Sequence, residues 1–467
     1  MNVMQRGKRC AALDAGRHTE HHGGRGTRSA GTVLIVTIWV VLVLAGLALV
    51  FGRSMRVAGL TAANHVSLQQ AETVADGALA YVIAQIQADE ESATLESASP
   101  YEAMPVGSGY FWVLRSNLED NRSHDFGPTD EAGKVNLNSA TLEMLLKLPG
   151  MTAELAASII DWRDADDEIT AGGAESEYYL LLSEPYTCKN GPLETVEEVL
   201  LIKGASTDLL FGEDTNLNGV LDDNENDADQ SEPADNRNGR LDAGFYDYVT
   251  VYSAEANVDS EGRERLNVND LRNNELTSLL REAVGDDQYF QMMDRLRASR
   301  PFANVLDFYV KSGMKAEQFA PIADRLTTVE SDTLVGLVNV NKAPREVLLC
   351  LPELEESDVE SLLARRESAD ADLESIAWVA DVLDAEKAAA VGGHITTRSF
   401  QYSADLVGLA GDGRAYKRYK AVIDTRERTA RVVYFRPLAS LGWPLDPKIV
   451  RTLRKGEPLT DAVLGMH

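Results

Sequence analysis

The sequence predicts an α+β protein in which one long N-terminal helix supports a small antiparallel sheet and a set of inserted helical modules. Residues 32–51 carry no charge, and about twenty helical residues span the hydrocarbon core of a bilayer. Runs that alternate apolar and polar residues lie near both ends of the remaining chain, as strands do. Between those runs a helical motif is repeated.

The N-terminal helix is predicted to continue well beyond residue 51. Apolar residues then recur at a spacing of three or four, which is the spacing of one helix face, at Leu68, Ala71, Ala75, Ala78, Val82 and Ile86. The first proline of the chain is Pro100, so no proline interrupts the pattern. We therefore expect one helix over residues 33–88, roughly 80 Å long at 1.5 Å per residue. Its striped second half would carry a soluble domain.

Charge is distributed unevenly along the 467 residues. The chain has 45 Lys and Arg against 74 Asp and Glu, a formal net charge of −29, and such a surface repels phosphate, which argues against general nucleic-acid binding. Residues 1–31 are the exception, with six basic and two acidic residues. The positive-inside rule predicts that this leader stays cytoplasmic and that the acidic remainder crosses the membrane.

Catalytic and disulfide signals are weak. The three cysteines, Cys10, Cys188 and Cys350, form no recognisable framework, and a Cys188–Cys350 bridge remains open. No P-loop, nucleophile elbow or pair of cysteines with metal spacing is present, and the histidines are scattered or in the leader. The sequence therefore argues against an enzyme.

A four-residue motif with two asparagines occurs three times, with its asparagines at Asn136 and Asn138, Asn267 and Asn269, and Asn339 and Asn341. After the first and third copies we expect a helix capped by Asn138 or Asn341, a Leu-Pro turn and a second helix, over 153–163 or 358–366. These units resemble helix–hairpin–helix or SAM-like folds. The usual DNA-binding hairpin has two glycines, but one copy keeps only Gly150 and the other places Glu353 and Glu355 there, so we interpret the hairpins as scaffold.

The segment 213–247 contains a pattern typical of a calcium-binding loop. Oxygen-bearing side chains stand at positions 1, 3 and 5, glycine at 6 and glutamate at 12 of a twelve-residue loop. The predicted ligands are Asp214, Asn216, Asn218, the Val220 carbonyl, Asp222 and Glu225. No flanking helix pair is evident, so we expect structural calcium that folds the acidic insert rather than a sensor.

A shortened version of the loop follows, with possible ligands Asp235, Asn236, Asn238 and Asp242. It lacks the first acidic residue and the twelfth-position glutamate, so a second calcium site would need ligands from outside this stretch. A solvated acidic loop is the alternative for both segments.

Strands are predicted over 109–116, 399–406, 419–423 and 431–435, with a turn at 411–413. We expect the late strands to form an antiparallel meander that pairs with the early strand near Phe111. The resulting domains are a leader (1–31), the helix (32–88), the first part of the sheet (89–132), three modules (133–261, 262–335 and 336–398), the last strands (399–440) and a tail (441–467).

The stretch from Gly31 to Trp39 resembles the N-terminus of the K component of type II secretion systems, a minor pseudopilin. In that family the prepilin peptidase cuts a basic leader after a glycine, which would make Gly31 and Thr32 the processing site. Other pseudopilins carry glutamate at the fifth mature position, whereas the K component characteristically lacks it, and here the position is Val36. The leader is long for this family and Thr32 is an unusual first residue. An uncleaved signal anchor is the alternative.

The resemblance implies a pseudopilin-type sheet with inserted SAM-like modules, calcium sites in the acidic region, and a non-enzymatic role at the tip of a periplasmic pseudopilus. It implies other minor pseudopilins, the prepilin peptidase and membrane lipid along 32–51 as partners, with the chain in the inner membrane and its head in the periplasm. Two alternatives remain open: a membrane-anchored helix–hairpin–helix receptor for DNA uptake, and a calcium-dependent adhesin or hydrolase.

Overall fold

The structure is a computed structural model that describes residues 30–88, 101–118, 120, 122–228, 230–233, 235–368, 372–427 and 429–464. The predicted leader therefore lies outside the described residues, apart from its last two positions.

The chain forms fifteen strands and fifteen α-helices in the described part. The strands are β1 (Met104–Val106), β2 (Gly109–Arg115), β3 (Asp125–Phe126), β4 (Thr129–Asp130), β5 (Val135–Asn136), β6 (Val249–Thr250), β7 (Ala254–Ala256), β8 (Leu266–Asn267), β9 (Leu326–Thr327), β10 (Thr333–Val335), β11 (Val338–Asn339), β12 (Ile395–Thr396), β13 (Gln401–Leu409), β14 (Tyr416–Asp424) and β15 (Arg431–Pro437). The helices are α1 (Ala30–Ala88), α2 (Leu142–Leu146), α3 (Ala153–Arg163), α4 (Ser176–Tyr179), α5 (Thr207–Phe211), α6 (Asn274–Val284), α7 (Asp286–Ser299), α8 (Val305–Ser312), α9 (Ala316–Ala323), α10 (Arg345–Cys350), α11 (Glu356–Arg366), α12 (Ala377–Val382), α13 (Ala385–Val391), α14 (Pro447–Arg454) and α15 (Asp461–Leu464).

Helix α1 confirms the predicted long N-terminal helix. It is 59 residues long, and its apolar first half is long and apolar enough to cross a membrane. The chain divides into two compact units between Ala63 and Asn64. In the second unit five of the six predicted stripe residues are buried, namely Ala71, Ala75, Ala78, Val82 and Ile86, and Val74 is buried with them. The sixth, Leu68, is 39% exposed, so the buried stripe begins later than predicted.

The main sheet is antiparallel and is built from both ends of the second unit. Its strand order is β1-β2-β13-β14-β15, with β3 paired to β2 and β4 paired to β13. Gly408 of β13 lies opposite Phe111 of β2, which confirms the predicted pairing of late and early strands. The helical modules are thus inserted between β4 and β13.

Helix α1 packs closely on β13 because Gly408 has no side chain. A Cβ at Gly408 would lie 2.5 Å from the Ala71 carbonyl oxygen and 2.6 Å from the Ala75 nitrogen. Small residues on both elements therefore set the distance between helix and sheet.

A short parallel pair of strands closes each of the three inserted modules. β5 pairs with β6, β8 with β9, and β11 with β12, each over two residues. In every pair the second strand ends in a threonine whose hydroxyl accepts a hydrogen bond from the N–H two residues later, at Thr250, Thr327 and Thr396. The sequence repeat therefore corresponds to three units of similar construction.

The side chain of the second asparagine in each repeat forms hydrogen bonds with the backbone of a distant part of the same module. Asn138 donates to the Leu193 carbonyl at 2.9 Å and accepts from the Leu193 N–H at 2.7 Å. Asn269 makes the same two bonds with Phe302. Asn341 donates to the Leu373 carbonyl, 32 residues away. Each asparagine thus ties the start of a module to a distant loop.

The predicted capping role of Asn138 and Asn341 is wrong. Thr141 caps α2 through its hydroxyl, and α10 follows Pro344 without a side-chain cap. The asparagine side chains are already engaged across the module and are not available to a helix N-terminus. Helix α11 begins two residues before the predicted start at 358.

The apolar core has two parts. One fills the modules and contains residues such as Leu155, Leu276 and Val347. The other lies between α1 and the main sheet and contains Trp112 of β2 together with Ile449 and Leu453 of α14. The Cys188–Cys350 bridge that the sequence left open is not formed: both thiols are free and buried.

Candidate calcium-binding loops

The first loop folds around the carboxylate of Asp214. One oxygen of Asp214 accepts the N–H of Asn218 at 3.0 Å, and the other accepts the N–H of Gly219 at 2.8 Å. Gly219 has φ +71°, and a Cβ there would lie 3.0 Å from Ser116 Cα. The glycine of the loop pattern is therefore required both by its backbone conformation and by its close neighbour.

The remaining predicted ligand side chains converge on Asp222. Its Oδ2 accepts hydrogen bonds from Asn216 at 2.6 Å and from Asn218 at 3.1 Å, and its N–H donates to Glu225 Oε2 at 3.0 Å. The Val220 N–H donates to Asn218 Oδ1. The loop thus brings together the side chains that the sequence singled out.

Two oxygens of this loop are buried and have no hydrogen-bond partner among the described residues, namely Asn216 Oδ1 and Glu225 Oε1. Burial, reinforced by Asp247, raises the pKa of Asp214 to about 6. Burial, reinforced by Asp214 and Asp222, raises the pKa of Glu225 to about 8. Unpaired buried oxygens and carboxylates of raised pKa fit a site that a cation would complete.

No group of three or more His, Cys, Asp and Glu side chains in the described part of the chain is arranged to hold a metal by itself. Any ion in this loop would therefore need asparagine and carbonyl oxygens as well as carboxylates. Calcium accepts such mixed oxygen ligands.

Arg418 joins the first loop to the main sheet. Its side chain is fully buried; it pairs with Asp405 of the neighbouring strand at 2.6 Å and donates to the carbonyls of Asn216 at 2.7 Å and Leu217 at 2.5 Å. Sequence reasoning missed this residue because about two hundred positions separate it from the loop. Its position in an alternating strand gave no signal of the contact.

The shortened second loop repeats the hydrogen bonds of the first. Asn236 and Asn238 donate to Asp242 Oδ2, as Asn216 and Asn218 do to Asp222. The N–H of Asp242 donates to Glu213 Oε2 at 3.0 Å. Glu213 therefore occupies the place that Glu225 has in the first loop.

Glu213 is buried, and its other carboxylate oxygen accepts the N–H of Asn236 at 3.4 Å. Asp235 accepts the N–H groups of Asp227 and Arg237. The sequence predicted that a second site would need outside ligands but did not identify Glu213. The adjacency of Glu213 to Asp214 was the available signal.

A cavity of about 70 Å³ lies beside the first loop, against the sheet, and is lined by residues including Asp214, Asn218, Asp247, Lys134 and Lys420. A pocket for a small-molecule substrate is usually several hundred Å³. This space suits a few water molecules better than a substrate.

Gly31 and Thr32, the predicted processing site, lie in the first turn of α1 and are exposed. Val36 is exposed on the same helix.

Residues 117–210 match the family model described as type II secretion system (T2SS), protein K. This stretch contains the first asparagine motif, helices α2 to α4 and all but the last residue of α5. The predicted resemblance to the secretion K proteins is confirmed.

The type II secretion system protein K of Pectobacterium carotovorum subsp. carotovorum is 26% identical over an alignment of 201 residues, and the match covers 39% of this chain and 60% of that K protein. The match thus spans less than two thirds of the relative. Among solved structures, the crystal structure of the GspK-GspI-GspJ complex from the type 2 secretion system of enterotoxigenic Escherichia coli aligns with 79% of this chain and 96% of the matched chain, at 12% identity and a TM-score of 0.40.

Proposed function

We propose that this chain is a non-enzymatic minor pseudopilin of a type II protein secretion system, taking part in protein export across the outer membrane. The main support is the arrangement of the second unit: the buried stripe of α1 packs on an antiparallel sheet whose strands come from both ends of that unit. The match of residues 117–210 to the K family is a separate support for the proposal, from the first inserted module. The helical modules between β4 and β13 would be the SAM-like insertion of that family.

The first half of α1 would anchor the chain in the inner membrane. Its side chains are exposed and apolar. The leader before it is basic, which by the positive-inside rule favours a cytoplasmic N-terminus and a periplasmic acidic head. Membrane lipid would contact residues 32–51. The prepilin peptidase would cut between Gly31 and Thr32.

The partners would be other minor pseudopilins, bound through α1. A large head inserted on the sheet would block the addition of a subunit above it, which favours the tip of the periplasmic pseudopilus. The absence of glutamate at Val36 agrees with a tip position, because no preceding subunit would present an N-terminus that needs a counter-charge.

Calcium would hold the acidic insert in its folded form. In the first loop Asp214, Asn216, Asn218, Asp222, Glu225 and the Val220 carbonyl would bind one ion. In the second loop Asp235, Asn236, Asn238 and Asp242 would bind another with the help of Glu213. The support is the shared hydrogen-bond pattern of the loops and the unpaired oxygens of the first.

Mass analysis of the membrane-extracted chain tests the pseudopilin assignment. We expect a mature N-terminus at Thr32 when the chain is produced with a prepilin peptidase, and an intact leader when Gly31 is replaced by valine. Gly26→Val, a leader glycine away from the junction, is the matched control and should leave processing unchanged. An uncut wild-type leader would count against pseudopilin processing.

None of the reported similarities supports the DNA-receptor alternative. Filter binding of the full chain to duplex DNA would distinguish it, because a receptor binds with strong salt dependence whereas an acidic pseudopilin head should not bind.

A further inference from the structure

The two edges of the main sheet differ in how well they are protected. At one edge, β1 has three residues and contains Pro105, which has no N–H to offer a further strand. At the other edge, β15 has seven residues, and in the described part of the chain no strand pairs with its outer side. Short strands and prolines protect sheet edges, whereas a longer open edge can accept another strand.

The middle of β15 has the composition of a strand that is paired on both sides. Residues 432–435 are two valines, a tyrosine and a phenylalanine, which are residue types that favour strands. Val432, Val433 and Phe435 are 40%, 51% and 47% exposed. A bulge at Val433 distorts the edge, but no charge or proline interrupts these four positions. Such a segment favours edge-to-edge association unless something covers it.

Contacts on both faces hold β15 in an extended conformation. On one face, the ring of Tyr434 lies 5.7 Å from that of Tyr252, and Arg436 pairs with Glu197. On the other face, the half-exposed ring of Phe435 lies 4.8 Å from that of Tyr419 in β14. A strand that is already fixed in this way loses little conformational entropy when it binds a partner.

The surroundings of β15 are basic although the chain as a whole is acidic. Residues 426–437 contain four arginines and one glutamate, against a net charge of −29 for the whole chain. Arg431 is 60% exposed and pairs with Glu427, which is 68% exposed. An exposed ion pair of this kind contributes little to stability. Arg431 can therefore exchange Glu427 for a carboxylate of a partner at little cost.

A second copy of this chain is a poor occupant of the edge. Two copies of β15 that pair in antiparallel fashion about the centre of residues 431–436 would bring Arg431 of each copy opposite Arg436 of the other. Like charges directly opposite each other destabilise strand pairs. The arginines instead favour a strand that carries acidic residues.

We propose that β15 is a docking site for an extended segment of another protein, which adds a strand to the main sheet and carries apolar residues flanked by Asp or Glu. Backbone hydrogen bonds along the edge supply affinity in this mode of recognition. Contacts with Val433 and Phe435 and a carboxylate opposite Arg431 supply specificity. The site depends on the sheet alone, so it does not require that the chain be a pseudopilin.

Binding of a synthetic peptide to the detergent-purified full chain tests the proposal. The probe is a short, fluorescently labelled peptide of alternating valine and threonine with glutamate at both ends, and fluorescence polarisation measures its binding. We expect saturable binding, which N-methylation of the peptide backbone should abolish because it removes the N–H groups that pair with the edge. Val433→Lys should weaken binding by about tenfold, because it places a charge on the edge. Leu181→Lys, at a position that is 88% exposed outside the sheet, is the matched control and should bind as the wild type does.

An exchange of charges separates strand pairing from non-specific apolar binding. Arg431→Glu should weaken binding of the glutamate-ended peptide by about fivefold and strengthen binding of a lysine-ended peptide by a similar factor. Arg431 is exposed, so this variant also serves should Val433→Lys not fold. Equal binding of the two peptides by the wild type, or unchanged binding after N-methylation, would overturn the proposal. Self-association of the chain that Val433→Lys abolishes, without peptide binding, would assign the edge to a second copy instead.

Discussion

Arg418 is the residue on which the contact between the sheet and the acidic insert depends. It is fully buried and neutralises Asp405 while holding two carbonyls of the first loop. A single guanidinium can do this because it presents several donors in a fixed plane. Lysine could pair with Asp405 but could not reach both carbonyls as well.

Replacing Arg418 by alanine should therefore destabilise the second unit strongly. Removing one partner of a buried pair costs about 3–5 kcal/mol, because Asp405 and the two carbonyls lose their donor. Thermal melting in calcium measures the effect. Arg414→Ala, which removes an exposed arginine paired with Asp412 at 3.7 Å, should change the stability by less than about 1 kcal/mol; similar losses from both variants would contradict the role of burial.

Gly408 offers a second test at this scale. Gly408→Ala should destabilise the contact between α1 and β13 by about 1–3 kcal/mol, since the new methyl group would overlap the helix backbone. Gly77→Ala is the matched control: a Cβ there meets only Val106 at 3.7 Å, so alanine should be neutral or stabilise the helix by up to about 1 kcal/mol. Melting temperatures of the two variants give the comparison, and a tolerated Gly408→Ala would mean that the packing is looser than described.

At the scale of elements, protons and calcium are expected to compete for the first loop. Burial raises the pKa of Glu225 to about 8 and that of Asp214 to about 6. A carboxyl whose pKa is raised in the folded state stabilises the fold when protonated, so this contribution is present below the unfolded pKa of about 4 and is lost as the pH rises through 6 and 8. Without metal, the melting temperature should fall between pH 5.5 and 8.5.

Calcium should remove this fall because it binds the deprotonated carboxylates. Scanning fluorimetry in EDTA and in calcium at both pH values checks the prediction. Glu225→Gln should flatten the pH dependence in EDTA and weaken the response to calcium, whereas the exposed Glu317→Gln should behave as the wild type. A wild-type chain whose melting in EDTA does not depend on pH would exclude the raised pKa values.

The hydrogen bonds that Asn138, Asn269 and Asn341 make to distant backbone groups lead to a further prediction for the modules. Asn138→Leu should cost about 2–3 kcal/mol, since both the N–H and the carbonyl of Leu193 lose their partner. Asn274→Ala, at an exposed position in the first turn of α6, is the control and should stay within about 0.5 kcal/mol. Urea unfolding followed by circular dichroism measures the free energy of unfolding of both variants. Equal losses would mean that the hydrogen bonds between Asn138 and Leu193 do not stabilise the module.

Sequence periodicity was sufficient to predict α1, the late strands and their pairing with β2, because those features depend on the local alternation of apolar residues. The loop pattern likewise brought Asp214 and Glu225 into one group. The prediction that Asn138 caps a helix was wrong, because the same asparagine side chain can either cap a helix or hydrogen-bond to a distant backbone, as it does with Leu193. Arg418 and Glu213 could not be assigned, since their partners are set by the tertiary fold and by no local spacing.

At the scale of the whole molecule, the separate cores of the modules and of the sheet predict unfolding in two steps. Calorimetry of the second unit in the full chain should resolve two transitions. Gly408→Ala should lower the temperature of the sheet transition, and Asn138→Leu that of the module transition. A single transition that both variants shift equally would indicate that the insert and the sheet unfold cooperatively through contacts such as Arg418.

The central strand β13 has a consequence for the order in which the chain acquires its structure. It pairs with β2, which was synthesised almost three hundred residues earlier, and such distant pairings form late. Until β13 has been synthesised, Ala71 and Ala75 of α1 lack the strand that packs on them, whereas β7 of the first module can already pair with β10 of the second. A nascent chain that stalls before residue 401 should therefore expose the helix face that β13 covers in the complete protein, and its first loop should still lack the contacts of Arg418.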